Sequence, residues 1–156
     1  MIKSLLTATA LTFTALGLSQ NASAHCQIPC GIYDDANVLS DLHLHYVTIE
    51  KSAAKIKEIG AGDATAAHDL ARWTLNKENH CDLIIDTVGN YFLAQRLKVS
   101  DMENDKEGYM KKLTLCHQVI VAAMKCKQKP DSANLKSLHD LLHDFDAAFS
   151  PKKAAE

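Results

Sequence analysis

The sequence predicts an all-α protein: a four-helix bundle, preceded by a cleavable signal peptide and an irregular segment dense in metal-ligating side chains. Three observations predict it. After residue 34, apolar residues recur at spacings of three and four, the period of one helix face. No stretch alternates with the period of two that a half-buried strand requires. Breakers at Gly60-Ala61-Gly62, Ser100-Asp101 and Gln128-Lys129-Pro130 divide that stretch into four helical runs. A chain of 156 residues suffices for one domain with a real core.

Residues 1–24 read as a secretory leader. Lys3 supplies the positive end, Leu5 to Leu18 is apolar apart from threonines and Gly17, and Ala22-Ser23-Ala24 is a small-residue cleavage site. The apolar run falls short of the roughly 18 residues that span a bilayer, so no stable membrane anchor is expected. Acylation of Cys26 is disfavoured because His25 stands where a small residue is needed. The expected boundaries are 1–24 for the signal peptide, 25–33 for the irregular segment, 34–150 for the bundle and 151–156 for a tail. An exported destination, periplasmic or secreted, follows, with signal peptidase as processing partner.

The first helix, capped by Asp34 or Asp35, runs to Ile59 and carries Val38, Leu42, Tyr46, Ile49, Ala53, Ile56 and Ile59 on one stripe. Asp63 caps the second, which carries Leu70, Trp73, Leu75, Leu83, Ile84, Val88, Phe92 and Leu97. Gly89 is a possible bend within it, at about 1 kcal/mol relative to Ala. The third helix spans about Asn104 to Lys127, with Tyr109, Leu113, Cys116, Ile120, Ala123 and Met124 near one stripe. Pro130 breaks it. The fourth, about Ser132 to Phe149, carries Leu135, Leu138, Leu141, Leu142 and Phe145.

Composition removes several function classes. A net charge of −2 offers no basic field for nucleic acid, and 4 Tyr, 4 Phe and one Trp offer no stacking platform beside one. Five cysteines cannot all pair within one chain, and they are too sparse for a disulfide-stapled mini-domain. Some sulfurs therefore have another task.

That task is legible in His25-Cys26-Gln27-Ile28-Pro29-Cys30-Gly31-Ile32-Tyr33. Cleavage after Ala24 frees the His25 backbone nitrogen as an amine of ordinary pKa about 7.7–8.0. The segment then offers that amine, the His25 imidazole, the thiolates of Cys26 and Cys30, and the Cys26 amide nitrogen once deprotonated. Amine and amide nitrogens of successive residues close a five-membered chelate ring, and the Cys26 amide and its own sulfur close another. Cys30 is carried back by the turn around Pro29 and Gly31. Two nitrogens and two sulfurs in a plane select Ni(II) or Cu(II) over tetrahedral zinc.

The same string resembles the N-terminal nickel hook of nickel superoxide dismutases. The helical remainder is similar too, notably Arg72-Trp73-Thr74-Leu75-Asn76-Lys77-Glu78-Asn79-His80 and Tyr91-Phe92-Leu93-Ala94-Gln95-Arg96. The resemblance implies a four-helix-bundle subunit of a homohexamer that converts superoxide to O2 and H2O2 by Ni(II)/Ni(III) cycling, one nickel per subunit. It implies His25, Cys26 and Cys30 as metal ligands, His25 and Tyr33 as catalytic residues, a cis bond before Pro29, and a nickel-delivery partner. Tyr33 would order small anions and water over the open face. A carboxylate is expected to steady the axial imidazole, with Asp41 at about the right distance. Some members of that family place an arginine near the start of the second helix pair, where this chain has His80.

Other readings stay open at this level. The same chelate suits a non-catalytic exported nickel or copper carrier. Cys26 and Cys30 could instead form a disulfide at the tip of a structural bundle. His139 and His143, at i and i+4, can share a metal, but beside Asp140 and Asp144 they read as a solvated helix edge. His43 and His45 do not share a helix face. Cys81 and Cys116 read as small buried hydrophobes, Trp73 and Tyr91-Phe92 as core or interface residues, and Cys126 has no assigned role.

Overall fold

The computed structural model describes Gln27 and residues 29–150. The expected signal peptide, His25, Cys26, Ile28 and the tail from residue 151 lie outside the described residues.

Helix α1 (Asp35–Ile59) starts where Asp34 accepts a hydrogen bond from the Asn37 amide, an N-cap that satisfies one orphan donor of the first turn. It ends at Gly60, whose φ of 59° is readily adopted without a Cβ. Helix α2 (Ala64–Thr87) is capped by Asp63, which accepts from the amides of Thr65 and Ala66 at 3.0 Å. It passes without interruption into a wider π-helical segment, Val88–Arg96. A short helix α3 (Asp101–Asn104) follows, then α4 (Lys106–Gln128), capped by Asp105, and α5 (Ser132–Phe149), capped by Asp131.

The four long helices α1, α2, α4 and α5 enclose one core. Helix α1 packs on α2 and α5, while α4 packs on α2 and α5, so the contacts close a ring. Leu42, Ile49, Ile84, Val88, Phe92, Val119, Leu138, Leu142 and Phe145 are fully buried in it. Phe92 meets Phe145 and Phe149 edge-on, with centroids 4.8 and 4.9 Å apart. No strand occurs among the described residues, and none of their helices is long and apolar enough to cross a membrane.

Gly89, expected as a possible bend of the second helix, lies inside the π-wound segment that begins at Val88. Two sequence expectations are corrected. On α4 the buried stripe is Leu115, Cys116, Val119, Ala122, Ala123 and Cys126, so Met124 faces solvent while Tyr109, Leu113 and Ile120 are only half-buried. Cys116 and Ala123 of the expected stripe are buried, and Leu115, Val119, Ala122 and Cys126 complete the buried face. Leu75 and Leu83 of α2 are likewise exposed. Leu42, Tyr46, Ile49, Ala53, Ile84, Val88, Phe92, Leu97, Leu138, Leu142 and Phe145 are buried as expected, whereas Val38, Ile56, Ile59, Leu70, Trp73, Leu135 and Leu141 are half-buried.

Candidate metal centre

The described part of residues 25–33 is a tight turn. The Cys30 amide donates to the Gln27 carbonyl at 3.0 Å, and the Ile32 amide donates to the Pro29 carbonyl at 2.9 Å. Gly31 sits at φ 82°, in the left-handed region where a Cβ is disfavoured. Nothing lies within 4 Å of a Cβ built there, so the constraint is conformational rather than steric. The Cys30 thiol is exposed at this turn and bonded to no other sulfur among the described residues.

Tyr33 follows, half-buried in a cage built by three other residues. The Arg96 guanidinium stacks over its ring at 4.4 Å. Tyr91 meets it edge-on, with centroids 5.8 Å apart and planes at 88°. Asp35, in the first turn of α1, receives the Arg96 fork through Nε at 2.8 Å and Nη2 at 2.6 Å. The Tyr91 hydroxyl donates to Asp35 Oδ1 at 2.8 Å and accepts from the Asp34 amide at 2.9 Å. The start of α1, the π segment and Tyr33 are thus tied into one unit.

The charges in this unit are mutually supporting. Burial alone would raise the Asp35 pKa, but the hydrogen bonds from Arg96 and Tyr91 and the Arg96 charge outweigh it and hold the carboxyl below 3.8. The hydrogen bond to Asp35 raises the Arg96 pKa against burial. Burial, helped by the Asp35 carboxylate, pushes the Tyr91 phenol up to about 12, so it stays a neutral donor at physiological pH.

Tyr91 and Arg96 are five residues apart. In a regular α-helix they would diverge around the axis; the i→i+5 bonding of the π segment brings both onto Asp35. Sequence reasoning therefore missed the cage. It treated Tyr91 as core and Asp35 as an alternative cap, and the available signal was a Tyr-x4-Arg pair next to Gly89.

Other expected site residues fall elsewhere. Asp41 is exposed on α1 and makes no hydrogen bond among the described residues. His80 sits 3.0 Å from His45, nitrogen to nitrogen, and the arginine that stands beside Tyr33 is Arg96. Cys81, Cys116 and Cys126 are fully buried, and burial pushes their thiols up to about 12, 11 and 11. They are inert hydrophobes rather than ligands.

The donor set fits a nickel ion where it is described. An exposed thiol in a turn, three residues before a tyrosine anchored by Arg96, is a donor that a soft divalent metal could take. The decisive observation is a family match: residues 20–153 match the model of nickel-containing superoxide dismutases. The chain belongs to the nickel superoxide dismutase family. It is accordingly an oxidoreductase that acts on superoxide and carries nickel as its metal. Neither the curated proteins nor the solved structures yielded a match. For a nickel superoxide dismutase, the match covers both the irregular segment and the helical ring that carries it.

Proposed function

We propose that residues 25–33 form the nickel hook and that removal of residues 1–24 completes it. The His25 amine and imidazole, the Cys26 amide nitrogen and thiolate, and the Cys30 thiolate hold the metal. Nickel bound there supplies the one-electron Ni(II)/Ni(III) couple, made accessible by anionic sulfur and amidate donors. The chain's own residues do the rest. Gly31 and Pro29 turn Cys30 back toward the new N-terminus. Tyr33, held by Arg96 and Tyr91, orders superoxide and water at the hook. Conversion of two superoxide ions to O2 and H2O2 consumes two protons, which reach the site through Tyr33, water or a backbone amide.

The observation that carries this reading is the exposed Cys30 thiol three residues before a Tyr33 held by Arg96 and Tyr91, in a chain of this family. A carrier would have no use for the immobilised tyrosine, so the enzyme reading is favoured over an exported nickel or copper carrier. Export to the periplasm or medium rests on the leader pattern of residues 1–24. Exposed Leu44, Val47, Leu75 and Leu83 on α1 and α2 offer apolar surface for a homohexamer.

The test joins N-terminal sequencing, metal analysis and superoxide assay. The processed protein should begin at His25, hold about one nickel per subunit, and lose metal and activity in Cys26→Ser and Cys30→Ser. Activity retained in either variant, or a processed terminus elsewhere, would overturn the ligand assignment.

A further inference from the structure

A second group of ligands lies between α1 and α5. His43 of α1 and His143 and Asp146 of α5 place ligand atoms within 4.8 Å of one another. His43 Nε2 is 2.6 Å from Asp146 Oδ2. The His43 and His143 rings are 5.0 Å apart by centroid. His139 adds a third imidazole, its Nε2 3.2 Å from that of His143.

The backbone explains why these groups converge. His139, His143 and Asp146 stand at i, i+4 and i+7 of one regular helix, so they share a stripe. Helix α5 packs on α1, which brings His43 across from that stripe. The stripe borders the apolar face that buries Leu138, Leu142 and Phe145, so the histidines ride on a rigid support.

We propose that His43, His143 and Asp146 form a zinc-class divalent cation site, with His139 beside it as a fourth donor, independent of the hook. Bonds of about 2.0–2.2 Å to nitrogen and carboxylate oxygen put tetrahedral ligand atoms about 3.4 Å apart. The 4.8 Å span closes to that value by side-chain rotation, because His143 is exposed and the other two are only half-buried. Two imidazoles and one carboxylate, without sulfur, match zinc rather than the sulfur-rich set of residues 25–33. A bound cation would replace the His43–Asp146 hydrogen bond and staple α1 to α5.

The alternative is a hydrogen-bonded histidine cluster with no affinity for metal. The two are separated in the chain bearing Cys26→Ser and Cys30→Ser, which removes the hook thiolates, so that loss of the hook and loss of this site are read independently. Equilibrium dialysis against Zn2+ with elemental analysis should find about one zinc per chain. His43→Gln or His143→Gln in that background should weaken binding by about tenfold or more, and zinc should raise Tm in the parent but not in either variant. Circular dichroism checks the fold of each, and exposed His143 gives a usable variant if His43→Gln does not fold. Absence of zinc binding in the parent, or binding unchanged by His143→Gln and Asp146→Asn, would overturn the site.

Discussion

The Arg96 guanidinium lies over the Tyr33 ring, 4.4 Å from its centroid, while its fork grips Asp35 on the first turn of α1. One arginine therefore sets both where the bundle begins and how the last aromatic residue of the turn is held. Lysine cannot do both, since a point charge lacks the planar fork. Arg96→Lys is expected to lower superoxide turnover clearly while leaving nickel content near the parent value. Loss of the charge-assisted pair should cost about 1.5–3 kcal/mol in chemical denaturation. Unchanged turnover would show that Tyr33 needs no such support.

Asp35 makes the acid limb of stability specific. Its folded-state pKa is held below 3.8 and its unfolded value is the ordinary one, so the unfolded chain binds the proton more readily. The stabilisation is complete above the ordinary carboxylate range and is lost as pH falls through the folded value. Thermal unfolding between pH 3 and 7 should therefore show a shallower acid decline in Asp35→Asn than in the parent. Equal slopes would mean that the ion pair with Arg96 does not survive in solution.

The thiols should divide sharply in reactivity. In metal-free native protein, a neutral alkylating reagent should modify residues 25–33, Cys30 included, and spare Cys81, Cys116 and Cys126 until the chain unfolds. Peptide mapping reads the outcome. Native-state labelling of Cys81 at a rate near that of Cys30 would contradict its burial.

Lys77 of α2 is a buried cation packed against the C-terminal end of α4. Its ammonium donates to the Cys126 carbonyl at 3.2 Å and to the Lys127 carbonyl at 2.5 Å, and pairs with Glu78. It satisfies carbonyls that the helix itself leaves open. Lys77→Met keeps the stem and removes the donors, and should cost about 1.5–3 kcal/mol. Phe92→Ala, in the aromatic cluster, should cost about 3–5 kcal/mol. A Lys77→Met variant as stable as the parent would show that water replaces the ammonium.

Much of this molecule is legible in its sequence because the signals are local. Asp34 and Asp63 cap helices at the predicted places, and α5 spans Ser132–Phe149 as predicted. The helical class and the string His25-Cys26 to Tyr33 need only spacing and side-chain chemistry to read. The tertiary structure decided what depends on helix rotation and packing. The π winding turned Arg96 and Tyr91 onto Asp35, 61 and 56 residues away. Helix packing set His43 against Asp146 across 103 residues and decided which face of α4 is buried. Caps and chelate spacings are fixed within a few residues by covalent geometry, whereas the azimuth of one helix against another is settled only when the whole core packs.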